Sequence, residues 1–491
     1  GASGPTAQLD HWRLPPEIAA HRLALATSGL HQLLPQLSVQ AGLAGWQHAA
    51  LIVAPLGLGL ALALAPMHTL AVLLGLTSVV FALVILVRFT ALTALIGRAR
   101  PTRVQPVRPA DLPTYAVLVP LFQEGAIVRD TIAALARLDY PADRMTIVLV
   151  CEGNDIATLD AATRVPLPPH FALSIVPPAQ PQTKPKALNY ALSGVDADYV
   201  VVYDAEDLPD PLQLKHAAAR FAAAPATLGC LQARLNVYNQ RDSWLTQQFT
   251  IEYTALFDGL LPALERLRLP IPLGGTSNHF RRDVLDAVGG WDAFNVTEDA
   301  DLGIRLNRLG YDISIMPLTT MEEAPATLGV WIKQRTRWLL GWMQTLAVHT
   351  RAPHALLADL GVWRTFGLLS LAFGLIATVL LHPVLYIALA LEAFEAHPFG
   401  SDGQLGTALI WALAGTNFIL GFGSAIGLAA AGLAGRGWWH LIPGLLTMPV
   451  YWLLTSVAGW RAVWQLMMRG RRPLRWEKTR HRPRRIGETS A

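Results

Sequence analysis

Tyr199-Val200-Val201-Val202-Tyr203-Asp204-Ala205-Glu206-Asp207 is the stretch on which the fold turns. Three consecutive valines between tyrosines suit a strand buried on both faces, and such strands belong to parallel sheets covered by helices. The acids follow at once, at the strand's carboxyl end, where open α/β sheets bind their ligands. Three similar runs precede it: Tyr115–Val119, Met145–Val150 and Phe171–Val176. Helical patterns separate them, so residues 104–350 are expected to form an α/β domain with a mostly parallel sheet.

The flanks have a different texture. Across 491 residues the chain is 52% hydrophobic and 15% charged, against roughly 25% charged in soluble domains. That deficit points to a membrane. Residues 5–45 carry an apolar periodicity at 17–40 that suits an interfacial or packing helix. Within 46–98, Ala49–Ala65 and Leu70–Leu86 approach the length of a span, joined by the turn Pro66-Met67-His68-Thr69. No Lys or Arg occurs from 23 to 87, whereas Arg88, Arg98, Arg100 and Arg103 follow. The positive-inside rule then places the α/β domain in the cytosol.

Apolar character returns over 363–468, first at Phe366–Leu391 and Leu405–Leu433, with Glu392, Glu395 and Asp402 between them. A third stretch, Trp438–Met468, is rich in Trp and carries Pro443 and Pro449, so it reads as a re-entrant segment, a short hairpin or a lone span. Nine Lys and Arg crowd residues 469–485, so the tail 469–491 is expected in the cytosol, which favours an even number of spans after 350. Cys151 and Cys230 are too few for a disulfide framework or a four-cysteine zinc site and read as buried thiols. The opening Gly1-Ala2-Ser3-Gly4 reads as a cloning remnant, and targeting is expected to rest on the spans themselves.

Five groups of residues in the α/β domain suggest chemistry. Pro120-Leu121-Phe122-Gln123-Glu124 follows the first strand, and Glu152-Gly153-Asn154-Asp155 ends the second; these acids could meet a nucleotide, or Asp155 could cap the next helix. Lys184-Pro185-Lys186 brings cations to a helix start, suited to a diphosphate. Asp204, Glu206 and Asp207 crowd one strand exit, where like charges cost stability unless a cation separates them; their hard oxygens suit Mg²⁺ or Mn²⁺, with turn and cap chemistry at Asp207-Leu208-Pro209-Asp210-Pro211 as the alternative. Thr297-Glu298-Asp299 offers a carboxylate as general base for a hydroxyl, and an acid here could also cap the following helix. On the helix expected at 331–350, Gln334, Arg337 and Trp338 share one face, with the alternative of a basic helix at the membrane surface.

Taken in order, these residues resemble the processive family-two glycosyltransferases, the group of cellulose, chitin and hyaluronan synthases. The likeness covers about 46–470. It rests on the acid-ended second strand, Asp204-Ala205-Glu206, Thr297-Glu298-Asp299 and Gln334-x-x-Arg337-Trp338. It is closer still to the bacterial phage-adsorption protein B-like glycosyltransferases, through Gly274-Gly275-Thr276-Ser277-Asn278-His279-Phe280 and Trp476-Glu477-Lys478-Thr479. The resemblance implies an α/β, Rossmann-like glycosyltransferase-A domain set between transmembrane helices in a bacterial inner membrane.

It further implies that Glu124 and Glu152 contact uridine and that Lys186 meets the donor diphosphate. Asp204 and Glu206 (or Asp207) would hold the metal. Asp299 would be the base with Glu298 beside it, and Gln334, Arg337 and Trp338 would border acceptor and pyrophosphate. Glu152 and Glu206 depart from the family's usual Asp. The expected reaction is inverting transfer from a UDP-sugar to a growing glycan. The expected partners are donor, glycan, bilayer and an envelope export component, with no nucleic acid. Single-sugar transfer to a lipid carrier and a nucleotide-sugar-sensing transporter stand as alternatives.

Overall fold

The structure, a computed structural model, describes residues 15–96, 106–394 and 405–468. Gly1–Gly4, Arg98, Arg100, Arg103, Glu395, Asp402, Trp476–Thr479 and the basic tail lie outside the described residues.

Eight strands form one sheet: β1 (Tyr115–Leu121), β2 (Met145–Glu152), β3 (Phe171–Val176), β4 (Tyr199–Val202), β5 (Leu208–Pro209), β6 (Leu228–Val237), β7 (Asn278–Arg281) and β8 (Asp312–Glu322). Their order is β3-β2-β1-β4-β7-β6-β8-β5. The four strands legible as apolar runs pair in parallel, β1 lying between β2 and β4. The other half is mixed. β7 runs antiparallel to both β4 and β6, β6 runs parallel to β8, and the short β5 runs antiparallel to β8. The sheet is thus a parallel half joined to a mixed half.

Alternation along β1 explains why it is buried throughout. Ala116 and Leu118 join one core, while Tyr115, Val117 and Val119 join the core on the opposite face. Strand order reverses between β1 and β4, which opens a crevice at their carboxyl ends. Helix Pro16–Leu33 belongs to the domain's packing: Ala26 and Leu30 are buried, and Asn189 Nδ2 donates to Ala26 O at 3.2 Å.

Among the described residues five helical stretches are long and apolar enough to cross a membrane, by length and composition: Gly45–Leu64, Ala71–Thr93, Pro353–Val384, Ala412–Arg436 and Trp439–Met468. The first hairpin turns more tightly than the sequence suggests. Its reversal is at Ala65, and Pro66 already begins the helix Pro66–Ile96, a position where its missing N–H costs nothing. Helix Pro353–Ala393 breaks at Gly361, whose φ of 72° suits glycine. Helix Leu405–Arg436 returns to the α/β domain, where Arg436 Nε meets Asp258 Oδ2 at 2.5 Å.

Candidate active site

The loops after β1, β2 and β4 deliver their acids to the crevice. Asp155 caps helix Ile156–Arg164, its carboxylate accepting from Thr158 N at 3.3 Å and from Gln123 N at 2.5 Å. Gln123 takes a φ of 57°, and the next residue, Glu124, is buried. Glu152 ends β2 and is also buried, facing the Lys186 ammonium at 2.9 Å. Burial raises the Glu152 carboxyl above its ordinary range, and Lys186 offsets part of that rise.

Lys186 and Lys184 take different partners. The Lys186 ammonium is fully buried against Glu152, and the cation among the acids of the β4 exit is Lys184. Lys184 Nζ lies 2.5 Å from Asp204 Oδ1 and donates to Gly275 O at 2.8 Å. Burial opposes its charge, but Asp204, Glu298 and Asp299 outweigh that and hold it firmly protonated. Both lysines belong to the first turn of helix Lys184–Leu192. The first residue reaches the crevice, whereas the third turns beneath the sheet's edge.

Asp204, Glu206 and Asp207 also separate. Asp207 is buried; its carboxylate accepts from Asp204 N at 2.7 Å and from the Thr276 hydroxyl. Burial, then the nearby Asp204, Glu206 and Glu322, push its carboxyl well above the ordinary range. Asp207 thus fastens the turn. Asp204 keeps 28% of its side chain exposed, and Glu206 is half-buried. Hard carboxylate oxygens on an open edge fit Mg²⁺ or Mn²⁺. Among the described residues no three His, Cys, Asp or Glu side chains converge as a ready-made cage.

Asp299 stands in the first turn of helix Glu298–Arg308, after Thr297. Its Oδ1 accepts from Ala300 N at 2.7 Å. Its Oδ2 would lie 3.3 Å from a Cβ on Gly275, so the glycine keeps this approach open. Burial raises the Asp299 carboxyl to about 6, and that of the neighbouring Glu298 to about 8, with Asp299's charge adding to the second rise. A base near 6 is poised for neutral pH.

Helix Leu328–His349 closes the other side. A Cβ on Gly341 would run into Thr297, so that glycine lets the Gln334–Trp338 helix and the Asp299 turn touch. Gln334 is half-buried, and its Oε1 has no hydrogen-bond partner among the described residues. Arg337 is half-buried. Trp338 packs on Phe249 and Tyr253, with ring centroids 5.9 and 6.5 Å away.

Sequence reading missed Arg335. It is buried and binds Glu252 through two nitrogens at 2.6 and 2.5 Å. It also donates to Tyr451 Oη at 2.8 Å and lies 4.7 Å from the Trp338 centroid. Burial disfavours its charge, but Glu252 more than compensates. Its partners lie 83 and 116 residues away, so no local pattern could have shown them.

Residues 113–341 match the family described as "Glycosyltransferase like family 2". Similar curated proteins include the "Probable glycosyltransferase YdaM" of Bacillus subtilis, 30% identical over 47% of this chain and 56% of its own length. The "Beta-monoglucosyldiacylglycerol synthase" of Synechocystis is 28% identical over 50% and 52%, and the "Poly-beta-1,6-N-acetyl-D-glucosamine synthase" of Staphylococcus aureus 26% over 48% and 56%. The chain spans about half the length of these relatives. The mannosyltransferase PcManGT of Pyrobaculum calidifontis, solved with GDP-mannose and Mn²⁺, superposes with a TM-score of 0.52 at 19% identity. That superposition covers 82% of this chain and 99% of the other, and it shows a shared fold. Residues 113–341 are accordingly a glycosyltransferase like family 2 domain, of the glycosyltransferase-A type, flanked by apolar helices.

Proposed function

We propose that this chain is a hexosyltransferase of a bacterial inner membrane, moving a sugar from a UDP-sugar to a growing glycan with inversion at the anomeric carbon. The observation that carries the reading is Asp299: a carboxylate raised to about 6, beside Lys184 and Asp204, at the lip between the β4 exit and the Gln334–Trp338 helix.

In this reading the acceptor oxygen attacks the anomeric carbon as the bond to the diphosphate oxygen breaks. The electron pair leaves with UDP, and the hydroxyl proton passes to the Asp299 carboxylate. Lys184 and Arg337 stabilise charge on the departing diphosphate. Glu124 and Glu152 line the nucleoside end, and Lys186 acts there by holding Glu152. Asp204 and Glu206 would hold Mg²⁺ or Mn²⁺, which neutralises phosphate charge. The aromatic group around Trp338 supports a glycan acceptor, because rings hold sugar faces. The relative that makes monoglucosyldiacylglycerol supports a second reading, transfer to a lipid acceptor.

The test is the full chain, purified in detergent, incubated with Mn²⁺ and a panel of UDP-sugars and GDP-mannose while release of the nucleoside diphosphate is measured. One UDP-sugar should turn over, and the product should elongate on repeated cycling. Turnover of GDP-mannose alone would overturn the UDP assignment, and a product carrying one sugar on lipid would favour the second reading.

A further inference from the structure

The last apolar stretch, Trp439–Met468, has the length and composition of a span, but its contacts describe another placement. It starts on the α/β domain. Gln248 Nε2 donates to Gly444 O, and Trp244 Nε1 to Thr447 Oγ1, each at 2.8 Å. In helix Met448–Met468 the Tyr451 hydroxyl then donates to Glu252 at 2.8 Å. Ten residues later the helix still touches the same partner helix: Arg461 Nη1 donates to Thr336 Oγ1 at 3.3 Å, beside the Arg335 that binds Tyr451. Ala458 and Ala462 share a buried cluster with Leu339 and Leu340 of that same helix. Helix Leu328–His349 carries Gln334, Arg337 and Trp338, which must sit at the water-facing site. A helix held at that level through residue 462 has six residues left, about 9 Å of rise, against a hydrocarbon core of about 30 Å.

A second observation agrees. From Trp452 to Trp460 the helix advances about 12 Å. Its contacts on the neighbouring span move only from His382, whose ring stacks on Trp452 with centroids 5.5 Å apart, to Leu380, whose carbonyl accepts from Trp460 Nε1 at 3.2 Å. Two helices crossing a bilayer side by side would keep pace; these cross steeply. The free face of the helix is an apolar stripe, Val450, Leu453, Val457, Trp460 and Trp464, all exposed. Their spacing of 3, 4, 3 and 4 is that of one helical face, and Trp favours the membrane interface. The neighbouring apolar helix likewise exposes Phe373, Leu375 and Val384.

We propose that Met448–Met468 lies in the plane of the domain-side leaflet as an amphipathic helix, with the stripe on lipid and Tyr451, Ala458 and Ala462 on the protein. Of the helices among the described residues four then cross the bilayer, and Met468 stays on the domain's side. An in-plane helix buries its apolar face about 5–10 Å into the headgroup boundary. That depth accommodates Arg461, which a crossing helix would carry into the hydrocarbon.

Nitroxide labels at single cysteines, Leu453→Cys, Val457→Cys and Trp464→Cys, test this on the full chain in phospholipid vesicles; Cys151 and Cys230 are buried. Depth is read from collisions with oxygen against a water-soluble nickel chelate. The proposal expects the three labels at one shallow depth within a few ångströms. A steady change approaching about 16 Å from 453 to 464 would show a crossing helix and overturn it. So would a cysteine at Ser490 that reacts with an impermeant maleimide only from the side opposite the domain. Neither readout depends on which sugar is transferred.

Discussion

Asp299 and Asp301 stand two residues apart on one helix and have opposite fates. Asp299 faces the crevice, where burial lifts its carboxyl to about 6. Asp301 is sealed inside, held by Arg305 at 2.9 Å and His349 at 3.1 Å. Burial pushes its carboxyl up too, but Arg305 and His349 overcome that and leave it below the ordinary value. Position on the helix separates them: i and i+2 point about 200° apart. Burial alone thus does not mark a working acid. What sets Asp299 apart is a raised carboxyl at the crevice near Lys184, whereas Asp301 is locked in a closed, fully buried pair with Arg305.

The largest effects should split along this line. Asp299→Asn removes the basic lone pair and keeps the shape, so UDP release should fall by about 10²–10⁴ with an unchanged melting temperature. Asp301→Asn should do the reverse and destabilise the fold by about 3–5 kcal/mol, because it strands a buried guanidinium; thermal melting in detergent reads this. Near-normal turnover by Asp299→Asn would reduce that residue to a helix-terminal acid.

A smaller effect lies in pH. The base works ionised, so the rate should fall as pH drops through about 6. Lys184 favours the ionised form, so Lys184→Met should move that midpoint upward, as a pH–rate profile would record. For stability the signs differ. Asp299's raised carboxyl makes its ionisation a cost to folding that grows as pH rises from the unfolded value towards 6. Asp301's depressed carboxyl contributes stability that is present above the unfolded value and lost as pH falls through the folded one.

How much of this was legible depended on whether the cause was local. The parallel strands announce themselves, because burial on both faces writes continuous apolar runs at Tyr199–Val202 and Met145–Glu152. The mixed half does not: β6 holds Gln232, Arg234 and Asn236, whose partners come from Gly274, Asp258 and Thr254. The placement of Asp204 after a strand and of Asp299 at a helix start was readable, because both follow from local pattern. That Lys184 rather than Lys186 lies beside Asp204 was not, since both occupy one turn and only the pairing of Glu152 decides between them. Arg335 needed Glu252 and Tyr451, brought together by packing distant in sequence.

The smallest effect tests the comparison within the β4 exit. Asp204 and Glu206 keep open edges, whereas Asp207 is buried with its carboxylate accepting from Asp204 N and Thr276. Its carboxyl is pushed well above the ordinary range, first by burial, which disfavours its charged form. An amide oxygen can accept the same two bonds without charge. Asp207→Asn should therefore leave UDP release within a few-fold of the parent and the Mn²⁺ dependence unshifted. Glu206→Gln, which removes a charged oxygen from the open edge, should demand more Mn²⁺ for half-maximal rate. If instead Asp207→Asn raises the Mn²⁺ requirement and Glu206→Gln does not, the buried acid opens to the metal during turnover, and exposure in the resting fold is the wrong guide to which carboxylate works.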